Sequence, residues 1–111
     1  MKKKISTLAR DKLNIEYELI DGKFKINWDD KTFYISNEEI NAILDVFFCD
    51  KRKWYPLGAT FDKPMKGGLG EFLRDELHGF TPRYASAVAA ILVNEGYLIA
   101  KGRRPIYLRR T

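Results

Sequence analysis

LVNEGYLIAKGRRPIYLRR, residues 92–110, is the part of the sequence from which the fold can best be predicted. An apolar helical stripe ends at Gly96, and glycine accepts the left-handed backbone that closes a helix. Two short apolar runs follow, 97–100 and 106–108, and the basic segment 101–105 joins them. Runs of this length around a turn that contains glycine and proline predict a two-stranded hairpin with a basic tip.

Three helices are predicted before this hairpin. Ser36-Asn37-Glu38-Glu39 has the pattern of a capping box, and the apolar face that follows predicts a first helix that fades near residues 50–53. Apolar spacing predicts a second helix near residues 69–77. The third spans 81–95, with Thr81 as N-cap and Pro82 in the first turn. The stretch 54–68 between the first and second helices is interpreted as a loop that still packs.

The N-terminal part predicts strands. Residues 13–35 alternate apolar and polar side chains, and Asp21-Gly22 supplies the backbone of a tight hairpin turn. These residues are interpreted as an antiparallel β-meander that must pack on the helices, because such a small sheet is not stable alone. Residues 1–12 form a basic leader. The whole chain, 1–111, is therefore expected to be a single α+β domain.

Composition restricts the class of protein. The chain has 111 residues, the size of one domain with one core. A single cysteine rules out an internal disulfide and any site with several thiolate ligands, and it favours a reducing compartment. No apolar run is long enough to span a membrane and no apolar stretch follows the basic N-terminus, so we expect neither a membrane span nor a signal peptide. We expect a cytoplasmic protein that has no membrane association.

The positive charge is concentrated at one end. The chain has 20 Lys and Arg against 15 Asp and Glu, a net charge of +5. Residues 1–95 are neutral in sum, so the excess lies in residues 96–111, which contain five cations and no acid. A basic cluster is typical of nucleic-acid binding. Charge alone fits a solvated basic tail equally well.

From residue 36 to residue 110 the sequence resembles a winged helix-turn-helix domain, in which three helices precede a β-hairpin wing. The resemblance rests on residues 92–99, where leucine, a polar pair, glycine and an apolar strand follow one another. Arg103 and Arg104 stand where the tip of the wing would be. The resemblance implies double-stranded DNA as the ligand and a regulatory or accessory role.

The resemblance also implies a recognition helix. Helix 81–95 would enter the major groove with its N-terminal residues nearest the bases. The positions concerned are Arg83, Tyr84, Ser86 and Ala87, followed on the expected outer face by Ala90 and Asn94. Two alanines among them leave little capacity to distinguish bases, so phosphate contacts should supply most of the affinity. Tyr84 has a second interpretation, as a core residue.

Backbone contacts to DNA are predicted at two further places. Lys66-Gly67-Gly68 precedes the second helix, where unbonded amides and a lysine suit a phosphate, although a flexible loop is an equal alternative. In the wing, Arg103 and Arg104 are the main candidates, and Lys101, Arg109 and Arg110 join them as backbone contacts. The alternative for the wing arginines is protection of an exposed strand edge.

Catalysis has little support in the sequence. His78 and Cys49 are each the only residue of their type, and no third group is placed to orient them as a pair. Cys49 is interpreted as a buried small apolar residue. No acidic cluster has the spacing of a metal-binding loop. We therefore expect a protein that is not an enzyme and that uses neither a cofactor nor a metal.

A protein-interaction module is the alternative function, since fold does not determine function. Small basic regulators or inhibitors of host machinery, of the kind found in phage and mobile elements, would fit this description. An exposed apolar patch at Trp54 and Tyr55 would favour such a partner. Dimerisation is also expected to be possible, because a second copy doubles a DNA site that reads few bases.

Overall fold

The computed structural model describes residues 2–9, 13–60, 64–103 and 105–111, which form two antiparallel sheets and three helices. The expected α+β class is confirmed. We call the four-stranded sheet the N-terminal sheet and the three-stranded sheet the C-terminal sheet. The first helix follows the N-terminal sheet in the chain; one strand of the C-terminal sheet comes next, then the second and third helices, and then the other two strands of that sheet.

The N-terminal sheet has the strand order β1-β2-β3-β4. Its strands are β1 (Lys3–Ile5), β2 (Ile15–Ile20), β3 (Lys23–Trp28) and β4 (Lys31–Ser36). The predicted β-meander is confirmed, and so is its turn, because Asp21 and Gly22 have φ angles of 50° and 78°. The basic leader needs correction. Part of it is β1, which pairs with β2 and places Lys3 opposite Tyr17.

The first helix begins as predicted and ends earlier. In α1 (Asn37–Ala42) the Ser36 hydroxyl accepts from the Glu39 amide at 3.1 Å, and the Glu39 carboxylate accepts from the Ser36 amide at 2.9 Å. The capping box is confirmed. A π-helical turn, Ile43–Phe47, then replaces the expected α-helical continuation. This wider turn brings the neighbouring rings of Phe47 and Phe48 within 5.0 and 5.3 Å of the Tyr55 ring.

The C-terminal sheet contains a strand that the sequence did not predict. The predicted hairpin is confirmed as β6 (Leu98–Lys101) and β7 (Tyr107–Arg110). A short strand, β5 (Tyr55–Pro56), lies within the stretch interpreted as a loop and pairs with β7. The sheet order is therefore β5-β7-β6.

The second and third helices are α2 (Leu69–Glu76) and α3 (Tyr84–Asn94). The expected start of α3 at Thr81 is wrong, since a tight turn precedes it in which the Tyr84 amide donates to the Thr81 carbonyl at 3.1 Å. The end is confirmed. Gly96 has φ 85°, and the Tyr97 amide donates to the Leu92 carbonyl at 2.9 Å, closing the helix.

Helix α3 lies in the middle of the core. Seven of its eleven residues are buried, among them all four of its alanines: Ala85, Ala87, Val88, Ala89, Ala90, Ile91 and Leu92. The N-terminal sheet covers one side of this helix through Trp28 and Phe33, whose rings lie 6.5 and 4.5 Å from the Tyr84 ring. The small alanine side chains allow α3 to be enclosed on several sides, because they need little space.

Candidate nucleic-acid interface

The predicted recognition helix does not present the outer face that was expected of it. Ala87 and Ala90 have 0% and 3% of their surface exposed, so both face the core. At the C-terminal end of α3, the exposed Asn94 donates from Nδ2 to the Tyr17 hydroxyl at 2.8 Å. The prediction that Ala90 lies on an outer face is wrong, because the N-terminal sheet packs where that face would be.

The N-terminal end of α3 faces a cavity. Arg83 and Ser86 line a space of about 280 Å³ together with Trp28, the last residue of β3, and with Asn14 and Asp29, which flank the strands of the N-terminal sheet. Arg83 is exposed and Ser86 is partly exposed. These two predicted contact residues therefore lie beside the N-terminal sheet.

Tyr84 is part of the aromatic core. Its ring stacks on Phe33 at 4.5 Å and meets the Phe80 ring edge-on at 5.8 Å. Contacts of this kind explain the partial burial of Tyr84. The interpretation of Tyr84 as a core residue fits the structure better than a role in binding.

The start of α2 does not offer the unbonded amides that were expected there. The Gly67 amide donates to the Glu71 carboxylate at 3.2 Å. The amides of Gly68 and Gly70 donate to the carbonyls of Met65 and Leu57, each at 3.0 Å. A carboxylate at this end would also repel an anion. The predicted phosphate cradle is thus already filled by the protein, and Lys66 remains as an exposed cation.

The C-terminal sheet has an inner and an outer face, which its register defines. Tyr55 pairs with Leu108, and both are buried on the inner face. Side chains alternate along a strand, and directly paired residues point to the same side. The residues on the other side form what we call the outer face: Pro56, Ile99, Lys101, Tyr107 and Arg109, together with Trp54, which immediately precedes β5 and lies against Lys101 and Arg109.

Two cations on this outer face contact one aromatic ring. The Lys101 ammonium lies 4.3 Å from the centre of the Trp54 ring, and the Arg109 guanidinium carbon lies 4.7 Å from it. Both distances are within the range of a cation–π interaction. Trp54 therefore holds the two positive charges close together on the surface of the sheet.

The hairpin tip adds a third cation. Arg103 is exposed beside Gly102, whose φ of +79° requires glycine at that position. Arg103 also borders a groove with Met65 and Thr60. Arg104, the other predicted tip residue, lies outside the described residues.

Arg110 has a structural contact instead of an open position. Its guanidinium donates to the Leu44 carbonyl and to the Asp45 carboxylate, each at 3.0 Å. The expectation that Arg110 joins the backbone contacts is corrected, because this side chain ties the hairpin to the π-helical turn. Within the described part of the chain, Lys101, Arg103 and Arg109 form no ion pair.

The sequence alone did not place Trp54 beside the cations of the outer face. The sequence-based prediction treats Trp54 and Tyr55 as one possible exposed apolar patch, whereas in the structure these two neighbouring side chains lie on opposite faces of the C-terminal sheet. Tyr55 is buried at 7% exposure, and Trp54 is half-buried beneath the cations. Alternation across Trp54, Tyr55 and Pro56 was the signal in the sequence, but a strand of two residues is too short to show it.

The only histidine and cysteine are not brought together as a reactive pair. His78 is exposed at the end of α2. The interpretation of Cys49 as buried is wrong, since Cys49 is exposed, with its Sγ 3.8 Å from the Tyr55 hydroxyl oxygen. Among residues 2–9, 13–60, 64–103 and 105–111, no three His, Cys, Asp or Glu side chains are grouped so that they could hold a metal ion.

Helices long and apolar enough to cross a membrane are not found among the described residues. Comparison of the chain with protein-family models, with curated proteins and with solved structures finds no match.

Proposed function

We propose that this protein binds double-stranded DNA without catalysing a reaction, as a regulatory or accessory factor. A single observation carries the proposal. The outer face and hairpin tip present Lys101, Arg103 and Arg109, and residues 96–111 include no acid that could neutralise them. Surfaces with one sign of charge attract the phosphate backbone and release its counterions.

The order of the elements supports a winged helix-turn-helix as the architecture behind this function. Helix α1 is followed by α2, a short connection, α3 and then the β6–β7 hairpin, and the tip of that hairpin is basic. This is the order that the resemblance of residues 36–110 implies. Strand β5 extends the hairpin to three strands without changing that order.

The proposed binding mode depends on the hairpin more than on α3. Because α3 is covered by the N-terminal sheet, its middle turns offer no side chain for the major groove. Arg83 and Ser86 at its N-terminus are the part of the helix that is left for contact with DNA. We therefore infer an interface made mainly with phosphates and with little discrimination between sequences.

A protein partner has less support than DNA. The patch of Trp54 and Tyr55 that would have favoured a protein partner is not formed, because Tyr55 points into the core. Cations lie over Trp54 in place of an open apolar surface. A surface of this kind is suited to an anion.

The affinity for random duplex DNA at several salt concentrations tests the proposal. In the wild type we expect the logarithm of the association constant to fall linearly with the logarithm of salt concentration, with a slope of about −3 or steeper. The variant Lys101→Ala/Arg109→Ala should bind more weakly, and its slope should be shallower by roughly 2 because two phosphate contacts are lost. The variant Arg103→Ala/Arg104→Ala, at the hairpin tip, should also bind duplex DNA more weakly and with a slope that is shallower by roughly 2.

The matched control removes two cations from the N-terminal sheet, as Lys25→Ala/Lys31→Ala. This variant has the same net charge as the two test variants and should keep most of the affinity. Equal losses in all three would show that net charge matters and that the hairpin does not. Absence of binding by the wild type at low salt would refute the proposed function.

A further inference from the structure

We propose that the outer face of the C-terminal sheet binds unpaired bases, with Trp54 as the stacking residue and Lys101 and Arg109 as the phosphate contacts. The inference rests on the proposed function, since it uses the same cations. It adds a substrate class, which is duplex DNA that continues into a single-stranded segment.

The position of Trp54 is the first argument. The core on the inner face is completed by Tyr55 and Leu108, so the indole on the other side is not needed to fill it. Trp54 shares the outer face with Tyr107 and the exposed Ile99. A tryptophan in this position supplies a large flat surface to whatever the sheet binds.

The mixture of residues is the second argument. Surfaces that bind single strands combine cations that follow the backbone with aromatic rings on which bases stack. Here Lys101 and Arg109 lie within 4.3 and 4.7 Å of one ring. Phosphate oxygens bind these cations more strongly than a ring does. A bound strand would therefore draw the two side chains to its phosphates and leave the indole to a base.

A base pair inside a duplex offers no flat face to a side chain, which is the third argument. Inside a duplex the bases stack on each other and show the protein only their edges, so away from the ends a surface indole has no base face to contact. Double-stranded DNA would engage the cations alone. Trp54 contributes only where a base is unpaired, and this difference separates the two ligands.

The experiment uses three fluorescent DNA probes: a blunt duplex, the same duplex with a single-stranded extension, and the single strand alone. The wild type should bind the extended duplex at least about fivefold more tightly than the blunt one. The variant Trp54→Leu should lose that gain and bind the extended and the blunt duplex equally. Trp54→Phe should keep part of the gain, because phenylalanine retains a stacking surface.

The control variant is Tyr34→Leu in the N-terminal sheet. Tyr34 is 48% exposed, and the Lys23 ammonium lies 5.1 Å from its ring centre, so this pair has the same chemistry at a different place. Tyr34→Leu should keep the preference for the extended duplex. Cooperative unfolding in urea shows that each variant is folded.

The outcomes separate the two proposals. If the wild type binds both duplexes equally, or if Trp54→Leu loses the same factor on both, the stacking role of Trp54 is refuted and the proposed function stands. If the single strand binds in a Trp54-dependent way and the blunt duplex does not bind, the duplex proposal fails and the stacking role stands. If no probe binds, both are wrong.

Discussion

At the scale of single residues, one polar cluster fastens the N-terminal sheet to the end of α3. The Tyr17 hydroxyl donates to the Glu95 carboxylate at 2.6 Å and accepts from the Asn94 amide at 2.8 Å. The Lys3 ammonium reaches the same Glu95 oxygen at 2.6 Å. Burial and the neighbouring Glu95 raise the pKa of Tyr17 to about 12, and the Lys3 and Tyr17 hydrogen bonds lower the pKa of Glu95.

The raised pKa of Tyr17 predicts a loss of stability in alkali. The neutral phenol is favoured in the folded state, so its contribution is complete below the unfolded pKa of about 10 and disappears as the pH rises towards 12. Tyr17→Phe should lower the free energy of unfolding by about 1–2 kcal/mol at pH 8. Urea melts across this pH range should show the difference between the two proteins shrinking above pH 10. A constant difference would contradict this role.

At the scale of elements, the tip of the hairpin depends on one glycine. A Cβ atom on Gly102 would lie 2.7 Å from the Pro105 carbonyl oxygen, in addition to the cost of its positive φ. Gly67 has a similar φ of +77° with nothing within 4 Å of such an atom. The pair therefore separates the effect of the clash from the effect of the backbone angle.

We expect Gly67→Ala to lower the free energy of unfolding by about 1 kcal/mol, from the backbone angle alone. Gly102→Ala should cost roughly 2–3 kcal/mol, or should rearrange the tip instead. Thermal denaturation measures the loss of stability, and the affinity for duplex DNA shows whether the tip has rearranged. Equal effects of the two substitutions on both measurements would show that the tip tolerates the added atom.

Elements with local signals were predictable, and elements made by distant contacts were not. The capping box at Ser36, the turn at Asp21-Gly22 and the stop at Gly96 each depend on neighbouring residues, and each is found in the structure. Strands β1 and β5 are short and exist because they pair with β2 and β7. Each of these two strands has too few residues to show the alternation of apolar and polar side chains by which a strand is predicted.

The candidate site divides in the same way. The basic hairpin could be predicted from composition, because five cations and no acid occur together in residues 96–111. The position of Trp54 on the outer face could not be predicted from composition, since it depends on how β5 pairs with β7. The burial of Ala90 depends on the N-terminal sheet, which helix periodicity alone does not reveal.

At the scale of the whole molecule, the N-terminal sheet and the helices share one core. Buried residues of β2, β3 and β4 belong to the same cluster as those of α3 and the C-terminal sheet. Phe33 on β4 stacks against Tyr84 on α3 at 4.5 Å. The β-meander is therefore a part of the domain that the helices require.

This shared core predicts that residues 36–111 do not fold alone. Removal of the N-terminal sheet would expose the apolar surface of α3 that the sheet now covers, and at about 1.5–3 kcal/mol for each large apolar side chain the loss is comparable with the usual stability of a small domain. We expect the fragment to show no cooperative unfolding in urea, in contrast with the full chain. A fragment that unfolded cooperatively would mean that residues 36–111 are an independent unit.

The enclosure of α3 has a consequence for how variation in this protein should be distributed. In a library of all single substitutions scored for cellular abundance, positions 85 and 87–92 should accept only small or matching apolar residues. Lys101, Arg103 and Arg109 should accept almost any residue without loss of abundance. Under the proposed function, changes in the DNA that the protein binds can therefore accumulate on the hairpin, whereas α3 is fixed by the demands of packing.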